Sequence, residues 1–193
     1  VFNTVLKAFA NSGDIEKASL WYGRMRRACI RINGKSFGKV IEAAAKSGDA
    51  RKAMLWHDVM LEDFAPSVVS MSAVIDACAK AGKAHEAAAW LHKMENAKVT
   101  PDAISYISVI NAWARVGEVD LAVESLQGME SAGFRPDLLA YSNVIDACAK
   151  ASRPDEAASW FSRMRDAKIE ADVVCYNSIL SAFAAAGRSD EAA

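Results

Sequence analysis

The chain has 193 residues, 52% of them apolar, and its 23 basic against 24 acidic residues leave a net charge of −1. That is enough apolar material for a continuous core, but no run approaches the roughly 18 apolar residues needed to span a bilayer, so no membrane partner is expected. Near-neutrality excludes a diffuse polybasic nucleic-acid binder, but not a basic stripe balanced by acids on the opposite face.

The elements repeat. Met25, Met60, Met94, Met129 and Met164 lie 35, 34, 35 and 35 residues apart. Each stands three or four residues after a pair that is apolar at one or both positions and seven after an alanine (Ala18, Ala53, Ala87, Ala122, Ala157), the spacing of one face of an amphipathic helix. A breaker precedes each such segment, Gly13, Gly48, Gly82 and Gly117 with Ser152 standing in before the fifth, and Gly187 recurs in the same register of the last repeat. A fixed period between 20 and 50 residues marks a stacked repeat protein. In chain order the repeats are 1–33, lacking two opening positions; 34–67, one residue short in its closing loop; 68–102; 103–137; 138–172; and a partial 173–193, which holds a first helix and the opening of a second.

The 68–102 repeat shows the plan. Val74, Ile75, Cys78 and Ala79 share one side of a first helix over about 70–80. Gly82 ends it, and Ala87, Trp90, Leu91 and Met94 stripe a second helix. Pro101, which has no N–H to donate, turns the chain into the next repeat. Pro154 starts the second helix of the fifth repeat, where a missing N–H does no harm. One hairpin alone leaves an apolar face exposed, so stability must come from stacking, and Trp21, Trp56, Trp90 and Trp160 belong to that seam. The expected fold is all-α, a right-handed α-solenoid of stacked antiparallel helical hairpins. Without an initiator Met, a targeting segment or polar capping repeats, the chain reads as part of a longer protein.

Chemistry-bearing residues are few. Cys29, Cys78, Cys148 and Cys175 are too far apart for a disulfide scaffold or a paired zinc site, and Cys78 and Cys148 share one register as small packing residues. His85 and His92 lie seven apart on one second helix but have no third ligand at metal spacing, so they read as surface histidines. No deaminase signature, phosphate-cradling glycine loop or nucleophile elbow is present. No cofactor, metal or small-molecule substrate is expected, and no enzymatic activity.

The letters opening the first helices are more specific. An aromatic or Met followed by a short side chain recurs at Phe2-Asn3, Phe37-Gly38, Met71-Ser72, Tyr141-Ser142 and Tyr176-Asn177, with Tyr106-Ile107 in the fourth repeat. Asp102, Asp137 and Asp172 close three repeats, the first two in a Pro-Asp pair. With the Ala-to-Met pattern of the second helices, the whole chain resembles the pentatricopeptide repeat family, P type. The W-x₂-L-G-x₂-Y opening of the tetratricopeptide repeat is missing.

The resemblance implies single-stranded RNA binding at one nucleotide per repeat, in RNA processing, stability or translation in a mitochondrion or plastid. Carried over by register, the base readers are Asn3 with Asn33, Gly38 with Ser67, Ser72 with Asp102, Ile107 with Asp137, Ser142 with Asp172, and Asn177 with a partner beyond the sequence. The stacking positions are Lys35, Val69, Ile104, Leu139 and Val174. Family preference assigns guanine to Ser/Asp, cytosine over uracil to Asn/Asn and a pyrimidine to a lone Asn, giving 5′-(C/U)-N-G-N-G-(C/U)-3′. Gly38 and Ile107 depart from the pattern, which puts discrimination by the second and fourth repeats in doubt.

Lys46, Lys80, Arg115 and Lys150 share one register in the last turn of the first helix. Helix C-capping and phosphate contact both fit them. Asp76 and Asp146 recur on the same helices and read as a solvated face. The alternative to RNA binding is a protein-interaction scaffold whose groove takes a peptide or partner helix.

Overall fold

The computed structural model describes residues 2–30 and 33–188, and every described element is helical. The second helix expected to open in the last repeat falls on 189–193, outside the described residues. The first helices are α1 (Phe2–Asn11), α3 (Gly34–Lys46), α5 (Val68–Lys80), α7 (Ala103–Val116), α9 (Leu138–Lys150) and α11 (Val173–Ala185). The second helices are α2 (Ile15–Arg27), α4 (Ala50–Leu61), α6 (Ala84–Asn96), α8 (Val119–Ser131) and α10 (Pro154–Asp166). They form two compact units, 1–102 and 103–193, and the division in the chain falls at a repeat boundary.

Within each unit the first helices pack in series, α1 on α3 on α5 and α7 on α9 on α11, and α1, α3, α5, α7 and α9 each also pack on their own second helix. That placement explains the two burial patterns. Helix α5 buries Met71, Val74, Ile75, Ala77, Cys78 and Ala79 around most of its circumference, whereas α6 buries one stripe, Ala84, Ala87, Trp90, Leu91 and Met94. Small residues dominate the first helices because two neighbours approach them at once. The Met register carries much of the seam: Met25, Met60, Met94, Met129 and Met164 are almost entirely excluded from solvent. Burying such a side chain contributes about 1.5–3 kcal/mol.

The first helix of the third repeat starts at Val68, two residues before the start expected from sequence. Ser67 and Ser70 form a reciprocal capping box there, which supplies partners for two otherwise orphaned backbone donors. At its end, Gly82 adopts φ +71°. Gly82 N–H donates to Ala79 O, and Lys83 N–H donates to Cys78 O, the paired bonds of a Schellman ending. Ser152, in the glycine register, takes the same left-handed conformation at φ 55°. The turns after the second helices use it too, at Cys29, Lys98, Gly133 and Lys168.

Cys78 and Cys148 are fully buried, and burial pushes their thiols to about 11 and about 12, so they pack as inert small groups. His57 departs from the surface character of the other histidines. It occupies the register of Leu91 and Leu126, is buried, and stands edge-on to the Trp90 ring at 4.8 Å. That register faces the neighbouring repeat, so a polar ring there is buried by position.

Candidate nucleic-acid interface

Four of the residues that close a repeat also start the next first helix. Asn33, Ser67, Asp137 and Asp172 have extended backbones, and each side chain accepts from the backbone N–H three residues on, at 2.9, 3.2, 3.0 and 2.9 Å. Such a cap contributes about 1 kcal/mol. These donors hold the Asp172 carboxyl below the usual carboxylate range, the bond from Cys175 N–H being the largest cause. The reader at the end of a repeat is thus fixed by the helix it caps, and a carboxylate that gives one oxygen to the cap has a second to offer.

The first reader of each pair sits in the opening turns of its own helix, and two pairs meet. Asn3 and Asn33 come together at the Ser36 hydroxyl, 3.1 Å from Asn3 Oδ1 and 2.9 Å from Asn33 Oδ1. Ser72 Oγ lies 3.4 Å from Asp102 Oδ1, and its proton goes to Val68 O at 2.7 Å. In the fifth repeat, Asp172 accepts from Cys175 N–H at 2.9 Å, and Ser142 is buried. Ser72 and Ser142 are only 8% exposed, so they form the floor of the surface while the caps stand at its edge. Gly38 has no side chain to bring to Ser67, which bonds Ser70 instead. Ile107 gives Asp137 no polar partner, and Asn177 is exposed on α11.

Beside this floor stand exposed apolar side chains. Val69, Ile104, Leu139 and Val174, the expected stacking residues, are between 55% and 66% exposed, although each would gain by burial. Val69 lies next to the second repeat's reader: a Cβ on Gly38 would sit 3.7 Å from Val69 Cγ1. Lys35, the fifth stacking position, is exposed. Where Gly38 leaves space, a cleft of about 340 Å³ opens between Lys7, Lys35, Lys39, Glu42, Ser67 and Val69. Lys39 is paired with Glu42 there at 2.5 Å, and Lys7 and Lys35 add positive charge that makes the cleft attractive to an anion.

The cation ladder has carboxylates beside it. Lys46 pairs with Glu42 at 3.2 Å, Lys80 with Asp76 at 2.6 Å and Lys150 with Asp146 at 2.5 Å, all one turn apart on the same helix. Lys150 Nζ also donates to Ala114 O, in the last turn of α7, at 3.0 Å. The capping geometry therefore exists at Lys150, on the preceding repeat's helix. In the fourth repeat the acid's place is taken by Asn111, one turn before Arg115. The acids that read as a solvated face in sequence are in fact the ladder's partners, and the i,i+4 Asp-to-Lys spacing was the signal for it. Among the described residues there is no cluster of His, Cys, Asp and Glu able to hold a metal, and no helix is long and apolar enough to cross a membrane.

The chain matches the PPR repeat family over residues 66–115, 101–150 and 137–185, and a further PPR repeat over 1–30. Among solved structures it is similar to the pentatricopeptide repeat protein PPR10 from maize, with 24% identity and a TM-score of 0.77 over 98% of this chain and 27% of that one. PPR10 in complex with an 18-nt psaJ RNA element aligns at 21% identity and a TM-score of 0.56, covering 99% of this chain and 33% of that one. The PPR domain of Arabidopsis thaliana protein-only RNase P 1, solved with tRNA, aligns at 14% identity and a TM-score of 0.76, covering 93% and 95%. No curated protein matches the chain. The likenesses show the fold, an α-solenoid of helical hairpins, and this chain spans about 27% of the length of PPR10.

Proposed function

We infer that this chain, which belongs to the PPR repeat family, binds single-stranded RNA along the face that carries the opening turns of its first helices. One observation carries the reading: in the third repeat an exposed Val69 adjoins a floor where Ser72 and Asp102 lie 3.4 Å apart. An apolar side chain that stays in solvent suits the face of an unstacked base, and a hydroxyl beside a carboxylate suits its edge. Asp102 would accept from the N1–H and amino group of guanine. Maize PPR10 and the PPR domain of the Arabidopsis RNase P have each been solved with RNA, which supports the ligand class.

In this reading each repeat takes one base, the third and fifth repeats select guanine, and the second and fourth discriminate little. The chain performs no chemistry; it occupies a transcript and so alters its processing, stability or translation. A mitochondrial or plastid transcript is the target the reading expects. Binding of a short RNA with guanine at the third and fifth places should exceed that of the same RNA with adenine there by about tenfold or more, at 1–3 kcal/mol per base-edge contact. Equal binding overturns the base assignment, and no binding overturns the RNA reading.

A second reading has its own support. Glu42, Asp76 and Asp146 already neutralise three of the four ladder cations, which suits a groove for a peptide or partner helix better than one for a polyanion. An affinity for RNA that does not fall with salt would favour it, since phosphate contacts release counterions.

A further inference from the structure

Asn3 and Asn33 are 30 residues apart in sequence and belong to different helices, yet one side chain fixes both. Ser36, in the first turn of α3, is fully buried. Its backbone N–H donates to Asn33 Oδ1 at 2.9 Å, and its hydroxyl reaches the same oxygen at 2.9 Å and Asn3 Oδ1 at 3.1 Å. The single hydroxyl proton is shared between two carbonyl oxygens, a three-centre bond. Both amide oxygens are therefore turned inward. A planar amide carries its NH₂ on the other corner, so both asparagines turn N–H donors away from Ser36, toward the side where Asn3 is half-buried and Asn33 exposed.

We propose that Ser36 is a positioning residue that sets the donor face of the Asn3–Asn33 pair, so that the first repeat selects a base with two adjacent acceptors on its Watson–Crick edge. This rests on the RNA reading above. Cytosine offers O2 and N3 side by side. Uracil places its N3–H donor between two acceptors, adenine sets an amino group beside N1, and guanine sets N1–H beside O6. On the Watson–Crick edge, two donors held by one hydroxyl fit cytosine alone; guanine presents adjacent acceptors, O6 and N7, only on its Hoogsteen edge.

The same register in other repeats follows the reader it would serve. Numbered by the repeat whose readers it adjoins, the fifth has Cys175, whose backbone N–H donates to Asp172 Oδ1 at 2.9 Å. In the fourth it is Ala140, where the reader Ile107 has nothing to bond. In the second it is Ser70, where Gly38 supplies no group and the hydroxyl serves the Ser67 cap alone.

The test is Ser36→Ala in the whole chain. Alanine is accepted in this register, as the fully buried Ala140 shows. Without RNA, the side-chain amide resonances of Asn3 and Asn33 should move in the variant; unchanged Asn3 resonances overturn the link. With RNA, the unaltered chain should prefer cytosine to uracil at the first place by about three- to tenfold, the range of one net hydrogen bond. In Ser36→Ala that ratio should fall to within about twofold, with the guanine preference at the third place intact. A retained cytosine preference overturns the proposal and leaves the RNA reading standing, whereas an unaltered chain that binds no RNA overturns the reading itself.

Discussion

The second and third repeats stack in one compact unit and share a scaffold, but they carry different surfaces. Both start their first helix on a polar cap, Asn33 and Ser67, and both bury their second-helix methionine, Met60 and Met94. Above that common core, the third repeat has Val69, Ser72 and Asp102, while the second has Lys35, Gly38 and Ser67 around an open cleft. The positions that build the hairpin and those that face a ligand are different residues. One can therefore change without the other, and the contrast can be broken from either side.

The largest effects should fall on the shared scaffold. Met60→Ala and Met94→Ala are each expected to cost about 2–5 kcal/mol, because each leaves a cavity in a dry seam. Urea unfolding should show similar losses for both. A much smaller loss at Met60 would mean that the second repeat is the looser of the two.

Next come the surfaces, at about 1–3 kcal/mol per base-edge contact. Ser72→Asn should move preference at the third place from guanine toward uracil. In the second repeat, Gly38→Ser with Ser67→Asp should install a guanine preference where none is expected. A Cβ at Gly38 meets nothing closer than Val69 Cγ1 at 3.7 Å, and Asp caps a helix as well as Ser. Competition binding with each base at the second place checks it, and a variant that folds but stays indifferent would show that the cleft holds no base in this register.

The scaffold was legible from sequence because it repeats: period, glycine turns and the Trp and Met seam all recur in register, and even Ser152 was placed by it. His57 lay in an apolar register, so its burial could have been read the same way. The cap role of Asn33, Ser67, Asp137 and Asp172 was also signalled, by Ser, Asn or Asp immediately before an apolar-periodic run. Other features left no trace. Cys29, Lys98 and Lys168 take left-handed conformations that glycine would have announced. The meeting of Asn3 and Asn33 at Ser36 depends on how α1 packs against α3, which no local pattern encodes.

The two repeats should also part in their response to acid. Burial, then the charge on Lys93, holds His57 below the ordinary histidine range, with Asp58 opposing, while the third repeat has Leu91 in its place. Below about pH 6.5, the ordinary value, the unfolded chain takes up a proton that the folded chain refuses. Stability is therefore full above that pH and falls as the pH drops through it toward the lower folded value. His57→Leu should flatten the change in unfolding midpoint between pH 7.5 and 5.5. An unchanged slope would assign the acid sensitivity to other groups.

The smallest difference lies in the closing turns. The third repeat leaves α6 through Lys98 at φ 57°, with Lys98 N–H on Glu95 O and Val99 N–H on Met94 O. The second leaves α4 through a loop one residue shorter, in which Phe64 N–H returns to Met60 O and no residue is left-handed. A side chain in that conformation costs about 1–2 kcal/mol, and glycine removes the cost while giving part of it back as entropy of the unfolded chain. Lys98→Gly should therefore stabilise the chain by about 0.5–1 kcal/mol. Asp63→Gly, at a site with no strain to relieve, should lose a similar amount for the entropic reason alone. Opposite signs for the same chemical change, read by urea unfolding, would separate backbone strain from any general effect of glycine in these turns; a loss at both positions would mean that the Lys98 turn stores none.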